Sequence, residues 1–337
     1  MSILEELNGI LPDGAEVTPE DTWEMLRRRI TILNERAWEG RNRWPDVEHW
    51  LANFDGRSGI DVDTERLHAL FLLSQFLYVG SIETRVLLQS VFRDLFMAPL
   101  IQEVRASLGG TRDAALIVPA VELALQRTRF LGVGNPSESG VHLLYYFRQE
   151  NGLSKAQFMD ATAMFARSYL PDGTTVPTLG NPDIDRYVFI DDVCGSARTA
   201  ISYSKNALAN LLELKPDAKL YYLAMFALQD GLDRVRTESV FGERCAAVFE
   251  LDETYRCLSP TSRYLHAAPP HINGDQLRMM VRTYGALLWP KHPCGFNDAQ
   301  LLLGFHHNTP DNTLPVIWRE DGAGVSWFPA FRRYAKL

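Results

Sequence analysis

The sequence lacks the features that mark several large classes of protein. Its 337 residues include only 4 cysteines, and no two of them form a CxxC pair. Such sparse thiols predict reduced cysteines in a cytoplasmic protein rather than a disulfide framework. No run of about eighteen apolar residues is present, so we expect no membrane span. The acidic N-terminal stretch has no apolar core, which argues against a signal peptide.

An excess of positive charge is also missing. The chain carries 34 Lys and Arg against 42 Asp and Glu, a net charge of −8, which argues against direct nucleic-acid binding through the overall field. A local exception lies near the N-terminus, where tryptophans alternate with Arg27, Arg28, Arg29, Arg36, Arg41 and Arg43. These arginines fit either a solvated, salt-bridged helix face or a surface that contacts a partner protein or nucleoprotein.

Several catalytic and cofactor motifs are absent. The chain has no GxxxxGK[ST] loop and no GxSxG elbow, and Gly132-Val-Gly134 is not a full dinucleotide fingerprint. His292 and Cys294 are close in sequence, but their spacing matches no standard zinc module. We therefore expect no metal site made by protein side chains alone.

The hydrophobic pattern changes along the chain. Residues 1–130 are predicted to be a helical region, in which one helix runs from Glu65 through Tyr78 and later helices are interrupted at Pro99 and Pro119. Residues 131–337 alternate between strands and helices. The predicted elements are the strands Tyr187–Ile190, Leu220–Leu228 and Ala246–Leu251 and the helices Arg198–Leu214, Gly231–Ser239 and Gly274–Leu288. This alternation predicts an α/β protein with a parallel, Rossmann-like sheet, whose ligand sites lie beyond the carboxyl ends of the strands.

The most informative segment is Tyr187–Thr199. A strand of apolar residues ends in Asp191 and Asp192, a loop of small residues follows, and a helix begins at about Arg198 or Thr199. Loop amides and a helix N-terminus form an anion site, because the first amides of a helix lack intrahelical partners. Adjacent carboxylates can accept hydrogen bonds from sugar hydroxyls. The segment therefore predicts a cradle for a ribose 5-phosphate, although an N-cap beside a solvated neighbour also explains an acidic pair before a helix.

This segment resembles the phosphoribosyl diphosphate signature of type I phosphoribosyltransferases, residue by residue from Val188 to Thr199. The resemblance implies that Asp191 and Asp192 act at the ribose hydroxyls as the catalytic pair. It implies that the phosphate is bound by Val193, Cys194, Gly195, Ser196, Ala197, Arg198 and Thr199. One departure is Ala197, where the family usually has Gly, and a φ above zero there would strain Ala.

A second loop precedes a predicted helix and offers a further phosphate contact. Ser137, Ser139 and Gly140 suit a diphosphate, while Glu138 opposes an anion unless Mg²⁺ bridges the two. Mg²⁺ would then arrive with phosphoribosyl diphosphate. Plain helix capping is the alternative interpretation of this loop.

A wider likeness covers most of the chain. The sequence resembles phosphoribosyltransferase-like proteins of bacterial conflict and anti-phage defence systems, some of them associated with retrons. The segments that carry this likeness are Trp44-Pro45, Trp50-Leu51, residues 135–140, residues 190–196, His292–Phe296 and Phe305–Pro315. In the last of these, His306, His307 and Asn308 either line a pocket or form backbone-bonded turns.

Two functional hypotheses follow. In the first, the protein binds phosphoribosyl diphosphate or a related nucleotide as an effector or component of an antiviral defence system, with phosphoribosyltransferase activity as one outcome. In the second, it is a catalytically inactive regulatory or scaffold subunit whose N-terminal helices bind a partner protein or nucleoprotein complex.

Overall fold

A computed structural model describes residues 17–133, 140–322 and 324–333. The helices are α1 Pro19–Arg36, α2 Trp44–Leu51, α3 Val62–Ser74, α4 Ser81–Ser90, α5 Ala98–Ser107, α6 Ala114–Gln126, α7 Gly140–Glu150, α8 Arg198–Tyr203, α9 Ala209–Leu214, α10 Gln229–Glu238, α11 Arg263–His266, α12 Gly274–Leu288 and α13 Pro315–Trp318. The strands are β1 Leu77–Val79, β2 Thr128–Gly132, β3 Phe165–Tyr169, β4 Thr175–Leu179, β5 Arg186–Cys194, β6 Lys219–Leu228, β7 Cys245–Leu251, β8 Leu303–Phe305, β9 Asp321–Gly322 and β10 Val325–Ser326. Two π-helical segments, Val91–Met97 and Ser204–Leu208, join α4 to α5 and α8 to α9.

The chain divides into two compact units. The first contains residues 1–84 and 252–337, and the second contains Arg85–Leu251. The predicted division at residues 130/131 lies inside the second unit, within β2.

The first unit draws its core from both ends of the chain. Side chains of α1, α2 and α3 pack with α12 and with the segment 314–331 in one buried cluster. The Trp50 indole donates to the carbonyl of Val316 at 2.7 Å, and the Tyr284 hydroxyl donates to Glu65 at 2.6 Å. β1 pairs in parallel with β8, so that Leu77 lies opposite Leu303.

The second unit is built on a four-stranded sheet in the order β2–β5–β6–β7. All three strand pairs are parallel. The first residues of β5, Arg186–Ile190, are buried, as expected for a strand covered on both faces. The predicted α/β class with a parallel sheet is confirmed, and so is the helical character of the N-terminal region. Because the strands are parallel, β5, β6 and β7 end at one edge, where Cys194 lies opposite Ala227.

Several local predictions are wrong. The helix that begins near Glu65 ends at Ser74, and Leu77–Val79 is a strand because it pairs with β8. Pro119 lies inside the continuous α6. Pro99 is the second residue of α5 and directly follows the π-helical segment Val91–Met97, so the helical conformation continues through it and only the helix type changes there. The edge strand β2 and the antiparallel hairpin β3–β4 were not predicted from the sequence.

Candidate functional site

The two candidate carboxylates lie within β5 rather than after it. The strand continues to Cys194, with Asp191 opposite Ala224 and Val193 opposite Phe226 on β6. The strand extends beyond the predicted Tyr187–Ile190 and includes both carboxylates near its end, and the helix begins at Arg198 as predicted. At this carboxyl edge of the sheet, the side chains of Asp191 and Asp192 contact each other.

Asp191 is held by contacts that fix its carboxylate. Its Oδ2 accepts from the Tyr222 hydroxyl at 2.7 Å, and its Oδ1 accepts from the amide of Asp192 at 2.9 Å. Burial and the charge of Asp192 raise the pKa of Asp191 well above its ordinary value, against the opposing effect of the Tyr222 hydrogen bond. The carboxyl group is therefore held in one orientation, and burial beside a second carboxylate disfavours its charged form.

Asp192 also accepts a backbone hydrogen bond. Its Oδ1 accepts from the amide of Val193 at 2.8 Å, and both acidic residues are partly exposed. Cys194 is buried, and burial raises the pKa of its thiol to about 12. Burial therefore favours the neutral thiol over the thiolate, which is the form that acts as a nucleophile.

The loop Gly195–Ala197 turns the chain from β5 into α8. Ala197 is the N-cap of α8 and has φ 62° and ψ 2°, the left-handed conformation. The first intrahelical bond runs from the amide of Ile201 to the carbonyl of Ala197 at 2.9 Å. The amides of Thr199 and Ala200 thus belong to the first turn, where a helix offers no internal acceptor. Thr199 is exposed at this helix start.

Helix α10 packs against the loop Gly195–Ala197. A Cβ placed on Gly231 would overlap the carbonyl oxygen of Gly195, so only glycine allows this approach. The Arg234 guanidinium donates to the carbonyl of Ser196 at 2.7 Å and also pairs with Glu238 at 2.8 Å. Gly231 and Arg234 were not predicted as part of the site, because their contact with the loop depends on β6 lying beside β5.

The other candidate residues are placed as follows. Gly140 begins α7, whereas Ser137, Glu138 and Ser139 lie outside the described residues. His306, His307 and Asn308 belong to the first unit and follow β8. Within residues 17–133, 140–322 and 324–333, no group of three or more His, Cys, Asp or Glu side chains is arranged to hold a metal ion. In the same part of the chain, no helix is long and apolar enough to cross a membrane.

Comparisons with known proteins give a family match and similarities to solved structures. A family model described as PRTase-CE matches residues 47–333. No curated protein matches the sequence. A solved structure titled "Helicobacter pylori Xanthine-Guanine-Hypoxanthine Phosphoribosyltransferase" is similar over 52% of this chain and 86% of that chain, at 10% sequence identity and a TM-score of 0.23.

Proposed function

The chain belongs to the phosphoribosyltransferase-like PRTase-CE family, and from this premise we propose that its β5–α8 loop binds phosphoribosyl diphosphate or a related nucleotide. The observation that carries the proposal is the arrangement at the end of β5. Asp191 and Asp192 lie in the strand, and the first turn of α8 lies only a few residues later. The two carboxylates suit the ribose hydroxyls, and the loop amides suit the 5′-phosphate.

The held geometry of Asp191 supports this assignment. Its carboxylate already accepts hydrogen bonds from Tyr222 and from the Asp192 amide. Because these bonds fix its orientation before a ligand binds, little conformational entropy is lost on binding. A neutral sugar hydroxyl can donate to such a carboxylate without adding negative charge at the sheet edge. The phosphate would then bind at the amide side of the loop, where the helix dipole favours an anion.

The chemistry would be displacement at the anomeric carbon. A nitrogen nucleophile forms the new bond to C1, the C1–O bond to diphosphate breaks, and the diphosphate leaves with the electron pair. The acceptor nitrogen then releases its proton. Asp191 and Asp192 hold the ribose in place while charge develops on the ring, so their contribution is positioning and electrostatic stabilisation.

Magnesium is part of the proposal as an ion bound with the substrate. Mg²⁺ prefers carboxylates together with substrate phosphates, and the hard oxygens of Asp191 and Asp192 fit that preference. It would neutralise charge on the diphosphate.

Activity is tested by following diphosphate release. Wild type, given phosphoribosyl diphosphate, Mg²⁺ and a mixture of nucleobases, should release diphosphate. We expect Asp191→Asn/Asp192→Asn to lower this turnover by about a hundredfold or more, because positioned charges of this kind contribute on that scale. The double variant Asp183→Asn/Asp217→Asn is the matched control, since both residues are exposed and precede β5 and β6. Equal turnover in wild type and Asp191→Asn/Asp192→Asn would refute a transferase site at this loop.

The biological setting belongs to the proposal too. We place the protein in a bacterial anti-phage defence system, because of the sequence likeness described above to defence proteins, some of which are associated with retrons.

The second candidate function is an inactive regulatory or scaffold subunit, and the positive φ of Ala197 is the observation that favours it. Binding of phosphoribosyl diphosphate without diphosphate release, together with co-purification of a partner protein or nucleoprotein, would support that function.

A further inference from the structure

Helix α6 of the second unit has an outer side that is almost free of charge. Among its 13 residues, Ala114–Gln126, Glu122 is the only ionisable one. Its inner side is covered, because Val121 and Ala124 are buried and the helix packs against α5. A surface helix usually carries charged residues on the side opposite the core. The outer side of α6 therefore has the composition of a surface that another molecule covers.

The exposed apolar side chains of α6 form one stripe along the helix. Leu116, Val118 and Leu123 are 55%, 51% and 50% exposed. Ala115 and Pro119 are exposed too, and together with Leu123 they recur every four residues, which places them on one side of the helix. Large apolar side chains that are scattered singly need no explanation, whereas a contiguous apolar stripe marks an interaction surface.

Two opposite charges lie along this stripe. Arg112 directly precedes Asp113, the N-cap of α6, and Glu122 lies in the third helical turn. Both are exposed, and neither forms an ion pair with a residue that the structure describes. At a rise of 1.5 Å per residue, the two charges are separated by about 15 Å along the helix axis.

The chain around Arg112 is held in place by hydrogen bonds. The Arg105 guanidinium donates to the carbonyl of Thr111 at 3.1 Å, and the Asp113 amide donates to the Thr111 hydroxyl at 3.1 Å. The Asp113 carboxylate then accepts from the Ala115 amide at 2.9 Å. The backbone position of Arg112 relative to the stripe is therefore fixed before any partner binds, which lowers the entropic cost of binding.

We propose that the outer side of α6 is the contact between two copies of this chain. The copies are related by a twofold axis that crosses the helix between Leu116 and Val118, so that the two α6 helices run antiparallel. In a twofold interface the same residues meet in exchanged order. Each Arg112 then lies against Glu122 of the second copy, which gives two ion pairs at the two ends of the apolar contact.

The charges favour this occupant and this orientation. A parallel pair of helices would place Arg112 against Arg112 and Glu122 against Glu122, so that like charges repel. A membrane surface fits less well, because helices that lie in a membrane interface carry Lys and Arg on the polar side, and α6 contains neither. One helix face is smaller than the roughly 800 Å² per partner of a standard interface, so we expect a dimer of micromolar affinity.

The test follows sedimentation of the full chain at concentrations from about 1 to about 200 µM, the range in which such an interface assembles. We expect a reversible dimer. Leu116→Glu/Leu123→Glu should weaken dimerisation by at least about tenfold, because it places charges at the centre of the apolar contact. Ile82→Glu is the matched control: Ile82 is 71% exposed on α4, so this variant should dimerise as wild type does.

A charge exchange tests the antiparallel pairing. Arg112→Glu alone and Glu122→Arg alone should each weaken the dimer by about tenfold, because each variant converts both attractive pairs into repulsive ones. Arg112→Glu/Glu122→Arg should restore the affinity of wild type, since it exchanges the two charges. A role of either side chain confined to folding of its own copy would not produce this rescue.

Three results would overturn the proposal. They are a monomer at every concentration, a dimer that Leu116→Glu/Leu123→Glu does not weaken, and a charge-exchanged variant that dimerises as poorly as the single variants. All four replaced residues are exposed, and thermal unfolding at low concentration should give the same midpoint for each variant as for wild type. Asp191→Asn/Asp192→Asn should dimerise normally, so failure of the ligand site and failure of the dimer are distinguishable.

Discussion

Ala197 combines a non-glycine side chain with a left-handed backbone conformation. It is a non-glycine residue with φ 62° at the junction of the loop and α8, and it is buried. The left-handed conformation costs an L-residue about 1–2 kcal/mol, because its Cβ crowds the following carbonyl oxygen. The resemblance to a glycine-containing signature anticipated this position, and the structure shows the positive φ that makes glycine favourable there.

Replacing this residue should therefore raise stability. We expect Ala197→Gly to increase the free energy of unfolding by about 0.5–1 kcal/mol, since relief of strain exceeds the added chain entropy of glycine. Urea denaturation measures the change. Ala200→Gly is the matched control: Ala200 lies in the first turn of α8 with ordinary helical geometry, so it should lose about 0.5–1 kcal/mol. Destabilisation by Ala197→Gly would show that the loop holds Ala without strain.

Asp191 should make stability depend on pH. Because burial and Asp192 raise its pKa in the folded state above the usual 3.8, the folded protein binds a proton more strongly than the unfolded chain. Its contribution to stability is thus fully present below pH 3.8 and is lost as pH rises through the raised value.

Asp191→Asn should remove this dependence and leave the ligand-free protein more stable than wild type at neutral pH. Thermal unfolding across a pH series measures both effects. Asp172→Asn is the contrasting control, because hydrogen bonds from Thr174 lower the pKa of Asp172, so its contribution is lost on acidification. A wild-type profile that matches Asp191→Asn at every pH would contradict the raised pKa.

At the scale of elements, the candidate site depends on two helices that meet one loop. α8 supplies the first-turn amides, and α10 supports the loop through Gly231 and Arg234.

The sequence predicts β5, β6, β7 and the helices between them, because their apolar runs and helical periodicities are local signals. β1 and β2 have no such signal, since each is a short strand defined by its partner, β8 or β5. Contacts between elements, such as that of Gly231 with Gly195, cannot be predicted from a single sequence.

The contact between α10 and the loop can be tested with one added methyl group. Gly231→Ala should displace the Gly195 carbonyl, lower stability by about 1–3 kcal/mol, and weaken binding of phosphoribosyl diphosphate. Gly274→Ala, at the start of α12, is the control, because its Cβ would meet neighbours at an ordinary 3.4 Å. Calorimetric unfolding and a ligand titration provide the two readouts. Normal ligand affinity in Gly231→Ala would show that the loop does not rely on α10.

At the scale of the whole molecule, the chain consists of two units of different construction. The second is a continuous segment organised around the parallel sheet, and its fold class follows from strand–helix alternation. The first joins the N-terminal helices to the C-terminal segment in one core. A bond such as Trp50 to Val316 links residues far apart in sequence, which local patterns do not reveal.

The most direct test of the central claim is calorimetric titration of the full chain with phosphoribosyl diphosphate and Mg²⁺. We expect wild type and Asp183→Asn/Asp217→Asn to bind alike, and Asp191→Asn/Asp192→Asn to lose at least about tenfold in affinity, because each lost charge-assisted hydrogen bond contributes about 1.5–3 kcal/mol. Equal affinity in all three proteins would contradict a ribose-phosphate site at the end of β5, and so would no binding by wild type.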